Sequence, residues 1–143
     1  MGLIDIFKIF KVKKSKAKGE HGGLYGEDAE RYNRMWDRWA EGKIDSPYAD
    51  LMTYQAEVNN GGHMQLFDNL ESRGALEKSI SELYKILPGN HKKNLKIAYD
   101  AYKKCGDNYE KCAPTLDRCD DFYYENEEPI NKILENFSQC KII

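Results

Sequence analysis

"EVNNGGHMQLF", residues 57–67, is the stretch that decides how this chain folds. Two asparagines, two glycines and a histidine stand together in a sequence whose apolar residues otherwise recur at helical spacing. Asparagine and glycine enter left-handed backbone conformations at the least cost. The stretch therefore predicts a tight corner, where one helix ends near Asn59 and the next begins near Met64.

The surrounding sequence argues against two functional interpretations of this corner, a phosphate-binding loop and a metal site. A phosphate-binding loop follows a strand and carries a lysine or a further glycine at fixed spacing, whereas this stretch follows a helical pattern and has no lysine. The three histidines of the chain are too far apart to form a paired metal-ligand motif. We therefore predict that His63 is a packed or hydrogen-bonded core residue, and that Asn59, Asn60 and Gln65 brace the corner through hydrogen bonds.

Helical patterns run outward from the corner in both directions. Before it, Gly42 is predicted to cap one helix, and Ser46 and Pro47 are predicted to be the N-cap and first turn of the next. After it, apolar residues at helical spacing predict helices over 76–87, 95–102, 116–123 and 130–137. No segment alternates apolar and polar residues as a strand would. The sequence thus predicts an all-α fold, a single compact domain of six or seven helices.

Length and composition are those of one globular domain. The chain has 143 residues, of which 41% are hydrophobic and 32% charged, and no apolar run is long enough to suggest a membrane span. We divide it into an amphipathic, basic N-terminal segment with its linker, residues 1–23, and a helical domain, residues 24–143. We expect a cytoplasmic protein without a cofactor or a metal ion.

The cysteines give no sign of a metal site or a disulfide framework. Cys105, Cys112 and Cys119 are spaced by seven, so on one continuous helix they would share a face. Pro114 is predicted to interrupt that helix. No two cysteines have the close spacing of zinc ligands. We therefore predict reduced, half-buried cysteines.

Charge is divided unequally along the chain. Residues 1–18 hold six lysines and one aspartate, so the remaining 125 residues hold 16 basic and 23 acidic residues. In the basic segment, Leu3, Ile6, Phe7 and Phe10 lie on one side of a short helix. That side can dock on the body of the protein or on a partner, or it can make weak contact with an anionic membrane surface.

Three segments together resemble a bacterial family of unknown function that is typified by a DNA-mimic protein. They are the corner at 57–67, the helix at 74–87 and the segment 116–137. The family signature is matched by Glu57, Asn60, Gly61, Gly62, Gln65 and Phe67. His63 and Leu66 stand where aromatic residues are usual. The resemblance implies a non-enzymatic protein that can form a homodimer and that docks a basic partner through an acidic helical face.

Acidic residues near the C-terminus are the candidates for that face. Asp117, Asp121, Glu125 and Glu128 follow a helical stripe, and Asp120 and Glu127 lie close to it in sequence. Carboxylates four residues apart stand about 6 Å from each other along a helix, whereas one DNA strand advances about 3.4 Å per phosphate. The stripe can therefore imitate only part of a DNA backbone. The same pattern is also typical of a solvated helix face.

Three classes of function remain after the sequence is read. The first is a binding module whose acidic face docks a basic protein such as a transcription factor or a nuclease. The second is a membrane-peripheral adaptor that uses residues 1–18. The third is an enzyme whose cleft is assembled from distant residues, although no catalytic motif is present. The negative charge of the body argues against specific binding of nucleic acid.

Overall fold

The computed structural model describes residues 24–140, and the regular secondary structure in this range is helical throughout. The six helices are α1 Gly26–Ala40, α2 Tyr48–Ser72, α3 Leu76–Ile86, α4 Gly89–Cys105, α5 Tyr109–Glu125 and α6 Glu128–Ser138. The predicted all-α fold is confirmed. The basic segment of residues 1–23 lies outside the described residues, so its docking or membrane contact stays a prediction. Within 24–140, none of the helices combines the length and the apolar character that crossing a membrane requires.

The two predicted caps around the start of α2 have different outcomes. Gly42 ends α1 with a φ of +74°, and its N–H donates to the carbonyl of Trp39. The predicted glycine cap is confirmed. The predicted role of Ser46 as an N-cap is wrong, because α2 begins at Tyr48 with Pro47 in the cap position. The Ser46 hydroxyl donates to the carboxylate of Asp50 instead of accepting from the helix backbone.

Helix α2 is the centre of the packing. It contacts α3, α4, α5 and α6, while α1 packs against α6 and α4 packs against α5. The core includes Trp36 from α1, Tyr54 and Phe67 from α2, Leu95 from α4 and Leu116 from α5, each 1% exposed or less except for Leu116 at 2%. Burial of such large side chains drives the assembly. Any polar group on the inward faces of α2, α5 and α6 must therefore find its partner inside the protein.

The cysteines do not lie on one continuous helix. The chain breaks at Gly106, where φ is +54°, so Cys105 ends α4 whereas Cys112 and Cys119 lie on α5. Pro114 was predicted to interrupt this helix, and that prediction is wrong, since α5 continues through it. The three thiols are nevertheless buried and free of disulfide bonds.

Candidate functional site: the glycine corner and the acidic stripe

The glycine corner is a kink that separates α2 into two helical segments, 48–60 and 63–72, as the sequence predicted. We use this name for Glu57, Asn59, Asn60, Gly61, Gly62, His63, Gln65 and Phe67. Only Gly61, with φ −155° and ψ 18°, and Gly62, with φ 77° and ψ −177°, leave the helical conformation. A Cβ atom on Gly62 would lie 2.3 Å from Oδ2 of Asp120. The backbone of α2 thus lies closer to α5 at Gly62 than it could if position 62 carried a side chain.

His63 follows the kink and is completely buried. Its backbone N–H and its Nδ1 lie 2.8 Å and 2.6 Å from Oδ1 of Asp120, and its Nε2 lies 2.7 Å from the hydroxyl of Tyr54. The two ring contacts are satisfied when Nδ1–H donates to the carboxylate and Nε2 accepts from the tyrosine. Burial raises the pKa of Tyr54 well above its ordinary value, which keeps that hydroxyl protonated. Both ring nitrogens are therefore engaged within the protein.

A second group of polar side chains closes the inner side of the corner. Glu57 is 1% exposed, and its Oε2 accepts from the amides of Gln65 at 3.1 Å and Asn69 at 2.7 Å. Asn60 donates in turn to Oε1 of Gln65 at 3.1 Å. These bonds span the kink from both sides, so they hold the two halves of α2 at a fixed angle.

The third group joins α2 to the junction between α5 and α6. Oε2 of Glu127 accepts from Asn59 at 2.6 Å, from Tyr123 at 2.9 Å and from Gln55 at 3.1 Å. The amide of Gln55 also donates to Asn131 on α6 at 2.7 Å. The pKa of Tyr123 is raised well above its ordinary value, first by burial and then by the charge of Glu127. The Glu127 carboxylate thus connects α2 to α5, and the Gln55 amide extends the network to α6.

The corner is braced by the residues that the sequence predicted and by several that it did not. Asn59, Asn60 and Gln65 form the expected hydrogen bonds, and the Phe67 ring packs against the rings of Tyr99 and Tyr102 at centroid distances of 5.8 Å and 5.0 Å. The partners missed by sequence reasoning are Tyr54, Gln55, Asn69, Tyr123 and Asn131. Gln55 and Asn131 carried a signal, because each is an amide on the apolar face of its helix.

The chemistry of the corner is that of a structural network. Its carboxylates, amides and imidazole bond to one another, so their polar atoms are largely satisfied inside the protein. Between residues 24 and 140, no group of three or more histidine, cysteine or acidic side chains could hold a metal ion.

The six predicted acidic-face residues separate into two sets. Asp117, Asp121, Glu125 and Glu128 are exposed, and we call these four the acidic stripe, of which the first three lie on α5. Glu128 begins α6, so the single continuous helix predicted for these four residues is wrong. Asp120 and Glu127 turn inward to His63 and to the Gln55 cluster, so their assignment to the exposed face is wrong. The reason is that both lie on the side of the chain that packs against the kink of α2.

Three members of the acidic stripe form no ion pair within the described residues. Asp117, Asp121 and Glu125 form no ion pair with any other residue in 24–140, and only Glu128 has a lysine nearby, Lys132 at 3.9 Å. Elsewhere the exposed Glu27 pairs with Arg31 at 3.6 Å and the half-exposed Asp100 pairs with Lys96 at 3.1 Å, whereas the exposed Glu30 and Glu77 have no ion pair within 24–140 either. The negative charge of the stripe is therefore directed to solvent.

An exposed aromatic side chain lies beside the stripe. Tyr124 is 48% exposed, and its hydroxyl donates to the carbonyl of Val58 at 2.9 Å, which fixes the ring on the surface. Glu110 is also exposed on α5. It extends the negative row toward the start of the helix, because it is seven residues before Asp117. Neither residue was among the predicted site residues.

A separate groove of ≈790 Å³ lies at the other end of α5. Its walls include Tyr99 and Tyr102 from α4 and Tyr109 from α5, together with Asp68 and Glu71 from α2. The Tyr102 hydroxyl donates to both of these carboxylates. Burial is the largest cause of its raised pKa, followed by these hydrogen bonds.

Comparison of the chain with protein-family models, with curated proteins and with solved structures gives no match.

Proposed function

We propose that this chain is a non-enzymatic binding protein whose acidic stripe docks a basic surface of a partner protein. The observation that supports this proposal is the row of exposed carboxylates on α5, three of which have no ion-pair partner within 24–140. Charges that no neighbour compensates project their field into solvent and steer a complementary surface toward them.

The chemistry of the stripe favours a partner that also binds nucleic acid. Carboxylates on successive helical turns form a row of negative charge, and rows of this kind attract the lysines and arginines that normally contact phosphates. The exposed ring of Tyr124 adds an aromatic contact beside the charges, and aromatic residues are frequent among the side chains that carry binding energy. A transcription factor or a nuclease fits this description.

The buried network supports the proposal by fixing the stripe in space. Asp120, which alternates with the exposed acids along α5, is anchored to His63, and Tyr124 is anchored to the backbone of α2. A face held in this way loses little conformational entropy when a partner binds.

The test compares two variants with the same change in net charge. D117K/D121K/E125K reverses the stripe, and E30K/E41K/D45K reverses three exposed acids that lie away from it. Each protein is used to capture partners from an extract of the native host cells at about 0.05 M and about 0.5 M salt. We expect wild type and the control variant to retain the same basic protein at low salt only, and the stripe variant to lose it.

Duplex DNA provides the second readout. If the stripe occupies the DNA-binding surface of its partner, an excess of duplex DNA releases the captured protein from the wild type. Equal capture by all three proteins would exclude the stripe as the docking surface. If capture depends on the stripe but duplex DNA does not release the captured protein, the stripe docks a basic partner without imitating DNA.

A further inference from the structure

Arg38, in the last turn of α1, has a guanidinium group that forms no ion pair with any residue in 24–140. The side chain is half-buried, and its Nε atom is buried without a hydrogen-bond partner. Arg31 on the same helix is different, because it pairs with Glu27 at 3.6 Å and with Asp28 at 3.1 Å. A buried donor that is left without an acceptor costs free energy. Arg38 is therefore a cation whose acceptor has to come from outside the described residues.

A cleft of ≈330 Å³ lies beside Arg38. Its walls come from the end of α1, the loop 43–47, the start of α2 and Phe137 near the end of α6. The N–H of Lys43 donates to the carbonyl of Arg38 at 2.9 Å, so the loop folds back over the end of α1. The volume is within the range of sites for small molecules, about 300–1,000 Å³.

One wall of the cleft is apolar. Ile44, Pro47, Tyr48 and Phe137 line it, and the rings of Tyr48 and Phe137 are stacked at a centroid distance of 3.9 Å with an angle of 7° between their planes. Contact between the two rings holds the wall in one arrangement. An apolar wall with a few charged groups beside it is typical of a site that binds a small organic molecule.

The charges around the cleft favour a ligand with one negative charge. Lys43 also lines the cleft, but its ammonium group pairs with Glu41 at 3.7 Å. The exposed Asp45 lines it as well and disfavours a second negative charge on the ligand. Arg38 is thus the cation that can accept an anion. The planar guanidinium group matches a carboxylate, which it binds through two parallel hydrogen bonds.

We propose that this cleft binds a small monocarboxylate with an apolar body. The carboxylate pairs with the guanidinium group of Arg38 and supplies the acceptor that its Nε lacks. The apolar body lies against Tyr48 and Phe137. The residues of the cleft are not those of the acidic stripe, so this binding does not depend on the docking of a basic partner.

The test titrates the full chain with 3-phenylpropionate and with hexanoate. Calorimetry measures the affinity, and the amide signals of Lys43, Ile44 and Tyr48 in NMR spectra locate the site. The neutral 3-phenylpropanamide has the same shape as the first carboxylate and serves as its control. We expect both carboxylates to bind saturably at this site and the amide to bind at least about tenfold more weakly.

Two variants with the same change in net charge complete the test. Arg38→Gln should weaken the binding of both carboxylates at least about tenfold and leave the binding of the amide unchanged. Arg34→Gln, which changes an exposed residue one turn earlier on α1, should bind as the wild type does.

Three results would overturn the proposal. The first is the absence of saturable binding of both carboxylates up to about 20 mM. The second is equal affinity of the wild type for 3-phenylpropionate and for its amide, a comparison that holds even where Arg38→Gln does not fold. The third is equal affinity of the folded Arg38→Gln and Arg34→Gln variants for the carboxylates.

Discussion

Asp120 and Asp121 are neighbours in the sequence, and their side chains have different environments. Asp120 accepts two hydrogen bonds from His63, one from the backbone and one from the ring, while Asp121 is exposed on the acidic stripe. The predicted acidic face included both residues, Asp121 through its helical spacing and Asp120 through its closeness in sequence. At the scale of single residues, the contact with the kinked helix decides which carboxylate supports the fold and which is available to a partner.

Replacing Asp120 by alanine should therefore destabilise the protein. The two N–H groups of His63 lose a charged acceptor, which we expect to lower the free energy of unfolding by about 2 kcal/mol. The carboxylate is 18% exposed, so water can replace part of what is lost. Urea unfolding followed by circular dichroism measures the effect.

Asp121→Ala is the control for this substitution, since it removes the same group from the next position. We expect the midpoint of its unfolding to stay at the wild-type value. Equal destabilisation by both substitutions would contradict the difference in role.

At the scale of secondary structure, the kink of α2 is the feature on which the other contacts depend. Gly62 has a φ that L residues rarely adopt, and any side chain there would meet Asp120. The kink directs the N–H of His63 to α5, and the side chains of Glu57, Gln65 and Asn69 close across it. In a straight helix, these polar groups would lie too far from their partners to form the hydrogen bonds.

Gly62→Ala should disrupt this arrangement. The backbone strain and the contact with Asp120 together should lower the free energy of unfolding by about 2 kcal/mol or more. Gly89→Ala is the control, because a Cβ there meets nothing within 4 Å and the residue begins α4 with an ordinary φ. Thermal unfolding of both variants makes the comparison, and a loss as large in Gly89→Ala as in Gly62→Ala would contradict it.

At the scale of the whole molecule, the helices are held together by buried polar groups as well as by apolar packing. His91 on α4 is 1% exposed, and its Nε2–H donates to the carbonyl of Asn126 at 2.6 Å, just after the end of α5. Its ring also contacts the rings of Phe122 and Tyr123. This histidine links α4 to the same junction that Glu127 links to α2.

His91 should make the stability of the protein dependent on pH. Burial lowers the pKa of its ring below the ordinary value of 6.5, although the hydrogen bond to Asn126 opposes that shift. The nearby charge of His63, when protonated, lowers this pKa further, and that of Glu127 raises it. As pH falls below about 6.5, the unfolded chain binds a proton that the folded protein does not, so folding becomes less favourable.

The measurement compares the free energy of unfolding of wild type and His91→Gln between about pH 7.5 and about pH 5. Glutamine can still donate to Asn126 but does not titrate. We expect the loss of stability on acidification to be smaller in the variant. Parallel curves would show that this ring does not contribute to the acid sensitivity.

The sequence by itself determined the class of the fold and the position of its corner. Helical spacing of apolar residues, the Gly42 cap and the conformational freedom of Gly61 and Gly62 are local properties, which act within a few residues and can be recognised without the rest of the chain. The tertiary structure alone decided that Asp120 and Glu127 turn inward and that Gln55 meets Asn131. Each of these depends on a partner far away in sequence, and helical spacing specifies the face of a residue but not what packs against that face.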